Sequence, residues 1–192
     1  MMPAQEAWIR SEMGGTRQAL VITKPDVLIS LIKKAKHPLI IIGHESLTDS
    51  SRTDVIIRLV SVLHESLNIP IICTSHIAGQ LLSRGLDVSG VYGSMEILDR
   101  LRDPTWEGLD GNGQYDLVCI IGFSYALGSL LFSGLKQNAP QTKIISLDPR
   151  YYPHAHWSYG NMKHITWKEE TERLIDHIQS EHMHQGEEKA HV

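Results

Sequence analysis

Apolar positions along this chain follow two alternating rhythms. Residues 39–43, 71–74, 117–121 and 143–147 are nearly unbroken apolar runs, rich in Ile, Val and Leu. Runs of this kind are typical of strands covered on both faces. Between them the apolar residues recur with helical spacing. Over 24–36, Val27, Leu28, Leu31, Ile32 and Ala35 share one face; Pro25 suits the first turn and Pro38 closes the segment. After residue 49, Val55, Ile56, Leu59, Val60, Leu63 and Leu67 form the next stripe, with Asp49, Ser50 or Ser51 as its cap. Asn68-Ile-Pro70 makes the return turn.

The rest of the chain continues the alternation. A short helix is predicted over 76–84, stopped by Gly85, and another behind Ser94 carries Met95, Ile97, Leu98 and Leu101. A helix over about 124–137 is capped by Ser124, and a last one opens on the capping box Thr166-Trp-Lys-Glu169. That last helix buries Trp167, Leu174, Ile175 and Ile178, and residues 181–192 are polar enough to fray. Strands separated by helices imply right-handed crossovers, hence an α/β fold with a doubly wound parallel sheet and helices on both faces. With 192 residues and no linker or internal repeat, one domain over 1–192 is expected, with an N-terminal arm of about 1–22 and a C-terminal tail of about 180–192 at its periphery.

Ligands of such sheets bind beyond the carboxyl ends of the strands, where strand order reverses. The segments expected there are Gly43-His44-Glu45, Thr74-Ser75-His76, Gly122-Phe123-Ser124 and Asp148-Pro149-Arg150, with Gly43, His44, Gly122, Phe123, Ser124, Asp148 and Arg150 as the candidate ligand-binding residues. The turn Gly-His-Glu-Ser at 43–46 stands where a dinucleotide fold has its phosphate loop. It carries one glycine of that fingerprint, and Glu45 places negative charge where a pyrophosphate would lie. A phosphate turn and a plain strand-to-helix turn both fit. Asp148 suits either a ribose acceptor or a turn residue before Pro149. Arg150, Tyr151 and Tyr152 suit either a ring stack or a subunit contact.

The loop at 103–116, Asp-Pro-Thr-Trp-Glu-Gly-Leu-Asp-Gly-Asn-Gly-Gln-Tyr-Asp, has three glycines and two turn signals. Gly108, Gly111 and Gly113 permit tight turns and the close approach of another surface. A long connector is the competing account.

Composition removes several functions. Eighteen Lys and Arg against 22 Asp and Glu give a net charge of −4, which argues against nucleic acid. No run is long enough for a membrane span, and Glu6, Arg10 and Glu12 interrupt the N-terminus, so no secretory signal is expected. Cys73 and Cys119 lie in separate apolar runs and suit buried positions in a reducing cytoplasm. No Cys-x-x-Cys pair is present, and His154/His156 and His182/His184 are spaced two apart, so no metal site is expected. His76 lacks a visible partner for acid–base work, and no nucleophile elbow or Walker loop occurs. No catalytic set emerges.

The segments at 35–43, 68–72, 115–122 and 143–148 resemble the middle domain of thiamine-diphosphate enzymes, a Rossmann-like domain of the DHS-like NAD/FAD-binding type. The loop, from Leu101 through Asp116, together with Ser-Tyr-Gly-Asn at 158–161, resembles more closely the ε subunit family of the archaeal acetyl-CoA decarbonylase/synthase complex, over about residues 17–178. The resemblance implies a cytoplasmic, non-catalytic accessory chain bound to a large α subunit in an α2ε2 component, with the nickel–iron–sulfur clusters of carbon monoxide dehydrogenase on that partner alone. It also implies archaeal one-carbon metabolism and methanogenesis, and a role in stabilising the component or in passing electrons from carbon monoxide to FAD. FAD is therefore the cofactor to test, at Gly43, His44, Gly122, Phe123, Ser124, Asp148 and Arg150. Trp106, Gly111, Asn112, Gly113, Tyr151, Tyr152 and Trp157 are the expected partner-facing residues. Self-association and a flavin- or nicotinamide-dependent redox enzyme of the same fold are the alternatives.

Overall fold

The computed structural model describes the backbone of residues 18–190 and the side chains of residues 18–180. Seven parallel strands lie in the order β1 (Leu20–Val21), β7 (Trp157–Ser158), β6 (Lys143–Ser146), β5 (Leu117–Ile121), β2 (Pro38–Ile42), β3 (Ile71–Thr74) and β4 (Gly90–Tyr92). The chain moves outward from β2 through β3 to β4, then returns to the middle and moves the other way through β5, β6 and β7. Strand order therefore reverses between β2 and β5, which pair from Pro38 opposite Leu117 to Ile42 opposite Ile121. This is a Rossmann-like, doubly wound sheet.

Side-chain alternation along the strands separates two cores. Ile40, Ile42, Ile71, Cys73, Cys119, Ile121 and Ile145 face α1 (Pro25–Lys34), α2 (Ser50–Leu67), α3 (Ala78–Ser83) and α6 (His164–Ala190). Leu39, Ile41, Ile72, Val118, Ile120 and Ile144 face α4 (Ser94–Arg102) and α5 (Tyr125–Asn138). Both faces are covered, which is why the strand sequences show no polar alternation. Burial alone pushes the Cys119 thiol up to about 12 and raises that of Cys73, so neither is a ready thiolate.

Local chemistry sets the helix ends. Pro25 opens α1, and Asp49 caps α2 by accepting from the Ser51 amide at 2.9 Å. Asn68 ends α2 in the left-handed conformation, at φ 53°. Ser124 occupies the N-cap of α5 without a side-chain cap bond. The last helix begins at His164, two residues before the expected capping box, and continues to Ala190 across the stretch expected to fray. Trp167 fixes its start: the ring is fully buried and its Nε1–H donates to the Leu147 carbonyl at 2.9 Å. The expected N-terminal arm of about 1–22 is described only in part. Its residues 1–17 lie outside the described part, whereas Leu20 and Val21 form a sheet edge, with Ala19 and Ile22 buried beside it.

One polar residue is built into the sheet beside β7. The Ile144 amide donates to His156 Nδ1 at 3.1 Å, while His156 N donates to the Ile144 carbonyl at 2.9 Å. An accepting Nδ1 requires the neutral ring with its proton on Nε2. Burial, with Lys143 and Lys136 adding to it, lowers the imidazole to about 4. The folded state therefore binds this proton less readily than the unfolded chain does. Stability from this group is complete above the ordinary histidine range near 6.5 and falls as pH drops towards 4. Urea titrations at pH 7 and pH 5 should show that His156→Asn, which keeps an acceptor without a titrating ring, loses less stability between the two pH values than the wild type. Equal losses would contradict this role.

Candidate functional site

The reversal point places Gly43 and Gly122 side by side at the carboxyl ends of β2 and β5. The Gly43 amide donates to the Ile121 carbonyl at 2.8 Å, and the Glu45 amide donates to the Gly122 carbonyl at 2.8 Å. The backbones meet so closely that a Cβ on Gly43 would lie 2.6 Å from Cδ2 of Phe123. Gly122 has φ 80°, and a Cβ there would overlap the Ser46 hydroxyl. Glycine is thus required at both positions, here to admit the chain's own side chains. Residues His44–Leu47 form a single 3-10 turn over this point, and α2 starts only at Ser50.

Asp148, at the end of the β6 run, turns inward to the same place. It is 2% exposed. Its carboxylate accepts from the Gly122 amide at 3.0 and 3.2 Å to its two oxygens, and also from the Phe123 amide. Arg52, in the first turn of α2, pairs with it at 2.5 Å and lies over the Trp167 ring at 5.6 Å from the centroid. Burial raises the carboxyl to about 6, against the pull of Arg52 and of the two amides; Glu45 adds to the rise. Ser46 Oγ and Arg52 Nε are buried at this point without a hydrogen-bond partner among the described residues.

The residues expected to hold a nucleotide are therefore brought together, but around one another. Gly43, Gly122 and Phe123 are buried. His44 and Ser124 are half-buried at the rim, where the His44 ring lies 5.5 Å from that of His76. Arg150 is exposed. A dinucleotide pyrophosphate needs free amides and a close glycine-lined approach. Here the Gly122 and Phe123 amides are spent on Asp148, Phe123 covers Gly43, and two carboxylates, Glu45 and Asp148, lie where negative charge would have to enter. The residues present do not fit FAD or a nicotinamide dinucleotide at this crevice. Among the described residues, a cavity of about 10 Å³ lies between the sheet and α4/α5, with Phe123 in its lining, and an open groove of about 300 Å³ runs along α1 by Val27 and Leu31.

The glycine loop sits at the opposite end of the sheet. It leads into the amino end of β5, beside the start of β2. Asp116 accepts from the Lys36 and His37 amides at 2.8 and 2.9 Å. Buried Tyr115 stacks on His37 at 4.1 Å and tilts against Trp106 at 5.6 Å, and its hydroxyl accepts from the Leu109 amide at 3.1 Å. His37 Nε2 meets Asp110 at 3.2 Å. Gly108, at φ 76°, packs against the Gly113 carbonyl. The loop is thus an anchored shape: Gly111 and Asn112 are exposed at its tip, and Gly113 and Trp106 are half-buried.

Tyr151 and Tyr152 require a correction. They were expected to face a partner, yet both are buried in this chain. The Tyr151 hydroxyl donates to the Ala19 carbonyl at 2.8 Å, and Tyr152 packs against Phe132 and Tyr125 at 4.6 and 5.2 Å. Trp157 is likewise a strand residue, half-buried and packed on the core. Spacing alone signals an aromatic pair; it does not signal burial. Arg52, His37, Tyr115 and Asp116 organise the two ends and were not singled out by the sequence. Among the described residues no group of three or more His, Cys, Asp or Glu side chains is placed to hold a metal ion, and no helix is long and apolar enough to cross a membrane.

Fold and site together define a Rossmann-like protein whose switch point is packed with its own residues and whose most distinctive loop is displayed at the other end. The family model described as CO dehydrogenase beta subunit/acetyl-CoA synthase epsilon subunit matches residues 2–176, and the chain belongs to that family. It is 31% identical over 167 residues to the protein of Methanothermobacter thermautotrophicus named acetyl-CoA decarbonylase/synthase complex subunit epsilon, covering 87% of this chain and 92% of the relative. Proteins of the same name from Methanothrix soehngenii and, as subunit epsilon 1, from Archaeoglobus fulgidus are each 34% identical, over 140 and 148 residues. The former alignment covers 72% of each chain and the latter 77% of each.

Replacing Gly122 with Ala tests the packed crevice. The backbone conformation alone should cost about 1–3 kcal/mol, and the overlap with Ser46 should add to it. In urea unfolding, Gly122→Ala should be clearly destabilised, and adding Ser46→Gly should restore part of the loss. Full stability of Gly122→Ala would contradict the close approach.

Proposed function

We propose that this chain is a non-catalytic accessory subunit, of the epsilon type, of an acetyl-CoA decarbonylase/synthase complex, and that it binds and stabilises the large carbon monoxide dehydrogenase subunit in an α2ε2 component. Near-full-length similarity to the epsilon subunit of Methanothermobacter thermautotrophicus carries this reading. The packing supports it: the crevice that serves ligands in this fold is spent on internal bonds. On this reading the metal clusters and the carbon–carbon chemistry belong to the partner.

The docking surface we assign to the loop tip around Gly111 and Asn112, with Trp106 and Gly113 behind it. A surface fixed in advance by Tyr115, His37 and Asp116 loses little conformational entropy on binding. An isolated redox enzyme using flavin or nicotinamide is the competing reading. The fold favours it, but the packing of Phe123 and Asp148 weighs against it. Assistance to FAD reduction then fits a flavin held outside this crevice.

Co-expression with the large subunit, followed by affinity purification and mass determination, tests the proposal. A stable hetero-oligomer is expected. Asn112→Tyr adds bulk at the exposed tip and should weaken association about tenfold or more, the scale of about 1.4 kcal/mol, while leaving the melting temperature of the free chain unchanged. Association unaffected by Asn112→Tyr would remove the loop from the interface; no association at all would overturn the accessory role.

A further inference from the structure

We propose that the Asp148 carboxylate is a built-in replacement for the ligand anion at the switch point, so that this chain binds no dinucleotide in that crevice. The observations are geometric. A carboxylate is a planar anion with two acceptor oxygens. This one is brought in at the end of β6 and accepts from the amides of Gly122 and Phe123, the first two residues of the turn after β5. Its charge is met by Arg52, a side chain rooted 96 residues earlier at the start of α2. Phe123 then closes over Gly43 on one side. On the other, Ser46 fills the space in front of Gly122. Donors, counter-charge and close glycine approach are thus all present, as an anion site requires; the two amides and the Arg52 charge are met by Asp148 from within the chain, while Ser46 Oγ and Arg52 Nε have no partner among the described residues. This inference stands independently of the accessory role proposed above, since a packed crevice and a partner surface are separate features.

The pair also has a structural consequence. Removing Asp148 leaves a half-buried guanidinium uncompensated and two amides without their acceptor, an arrangement that is destabilising in general. The vacated space would have the size and donors for a small carboxylate. Asp148→Ala should therefore be rescued by formate, which restores the charge and both acceptor oxygens without the tether.

The experiment uses the full chain. Thermal unfolding of wild type and Asp148→Ala is followed in formate and in chloride at equal ionic strength. Formate at about 100 mM should raise the midpoint of the variant by about 3 °C or more over chloride, and that of the wild type by less than about 1 °C. A folded variant that formate does not stabilise would overturn the proposal. Titration of the wild type and of Ser124→Trp with FAD, followed by flavin fluorescence, decides the matter even if Asp148→Ala does not fold. No saturable binding, or binding indifferent to Ser124→Trp at the rim, agrees with a filled crevice. Stoichiometric FAD binding lost in Ser124→Trp would overturn it.

Discussion

Two backbone turns approach each other at the centre of this molecule, and everything at that end of the sheet follows from how the space between them is used. A doubly wound parallel sheet must reverse its strand order somewhere. The reversal leaves the turns after β2 and β5 diverging above the sheet, with unpaired amides facing outward. In this chain the gap is bridged by hydrogen bonds from Gly43 and Glu45 to the β5 strand and its turn, and by one buried carboxylate. Asp148 serves the donors that a bound anion would serve elsewhere. The arrangement is internally consistent: a carboxylate buried this deeply needs both a cation and amide donors to offset its desolvation, and Arg52, Gly122 and Phe123 supply them.

The same pair links layers that are distant in sequence. Arg52 joins α2 to the end of β6, its guanidinium lies over Trp167, and Trp167 ties α6 to the Leu147 carbonyl. Two helices and a strand end therefore meet at one polar centre beneath an apolar cover. An arrangement of this kind favours a single rigid geometry over a crevice that opens and closes. It leaves the opposite end of the sheet, where Tyr115 and Asp116 hold the glycine loop in shape, as the place where we assign a surface offered outward at low entropic cost.

Much of the fold was legible in the residues. Strands β2, β3, β5 and β6 announce themselves as apolar runs because both their faces are covered. The helices between them carry intact stripes, so the α/β class and the doubly wound sheet follow from the pattern. Strands β1, β4 and β7 did not, because two or three residues are too few to show a period; they are held by neighbours already in place. The start of α6 was misplaced because Trp167, not the capping box, fixes it. At the candidate site, Asp148 and the two glycines were legible as strand-end residues, but whether they face a ligand or one another depends on Arg52 and Phe123 arriving from other layers. The burial of Tyr151 and Tyr152 is of the same kind: it is set by Ala19, Phe132 and Tyr125, none of which is near them in sequence. The position of the loop was recoverable in principle, since a segment that precedes a central parallel strand must lie at the amino edge, away from the crevice.

The carboxyl end of this sheet is packed with its own residues, and the loop end is where we propose that the partner docks. Hydrogen–deuterium exchange of the full chain, free and bound to the large carbon monoxide dehydrogenase subunit, separates the two ends directly. New protection is expected across residues 106–113 on binding, with the amides of residues 43–46 and 122–124 already protected in the free chain and unchanged. Free-chain exchange that is fast at Gly122 and Phe123, with protection gained there and not in the loop, would contradict this arrangement.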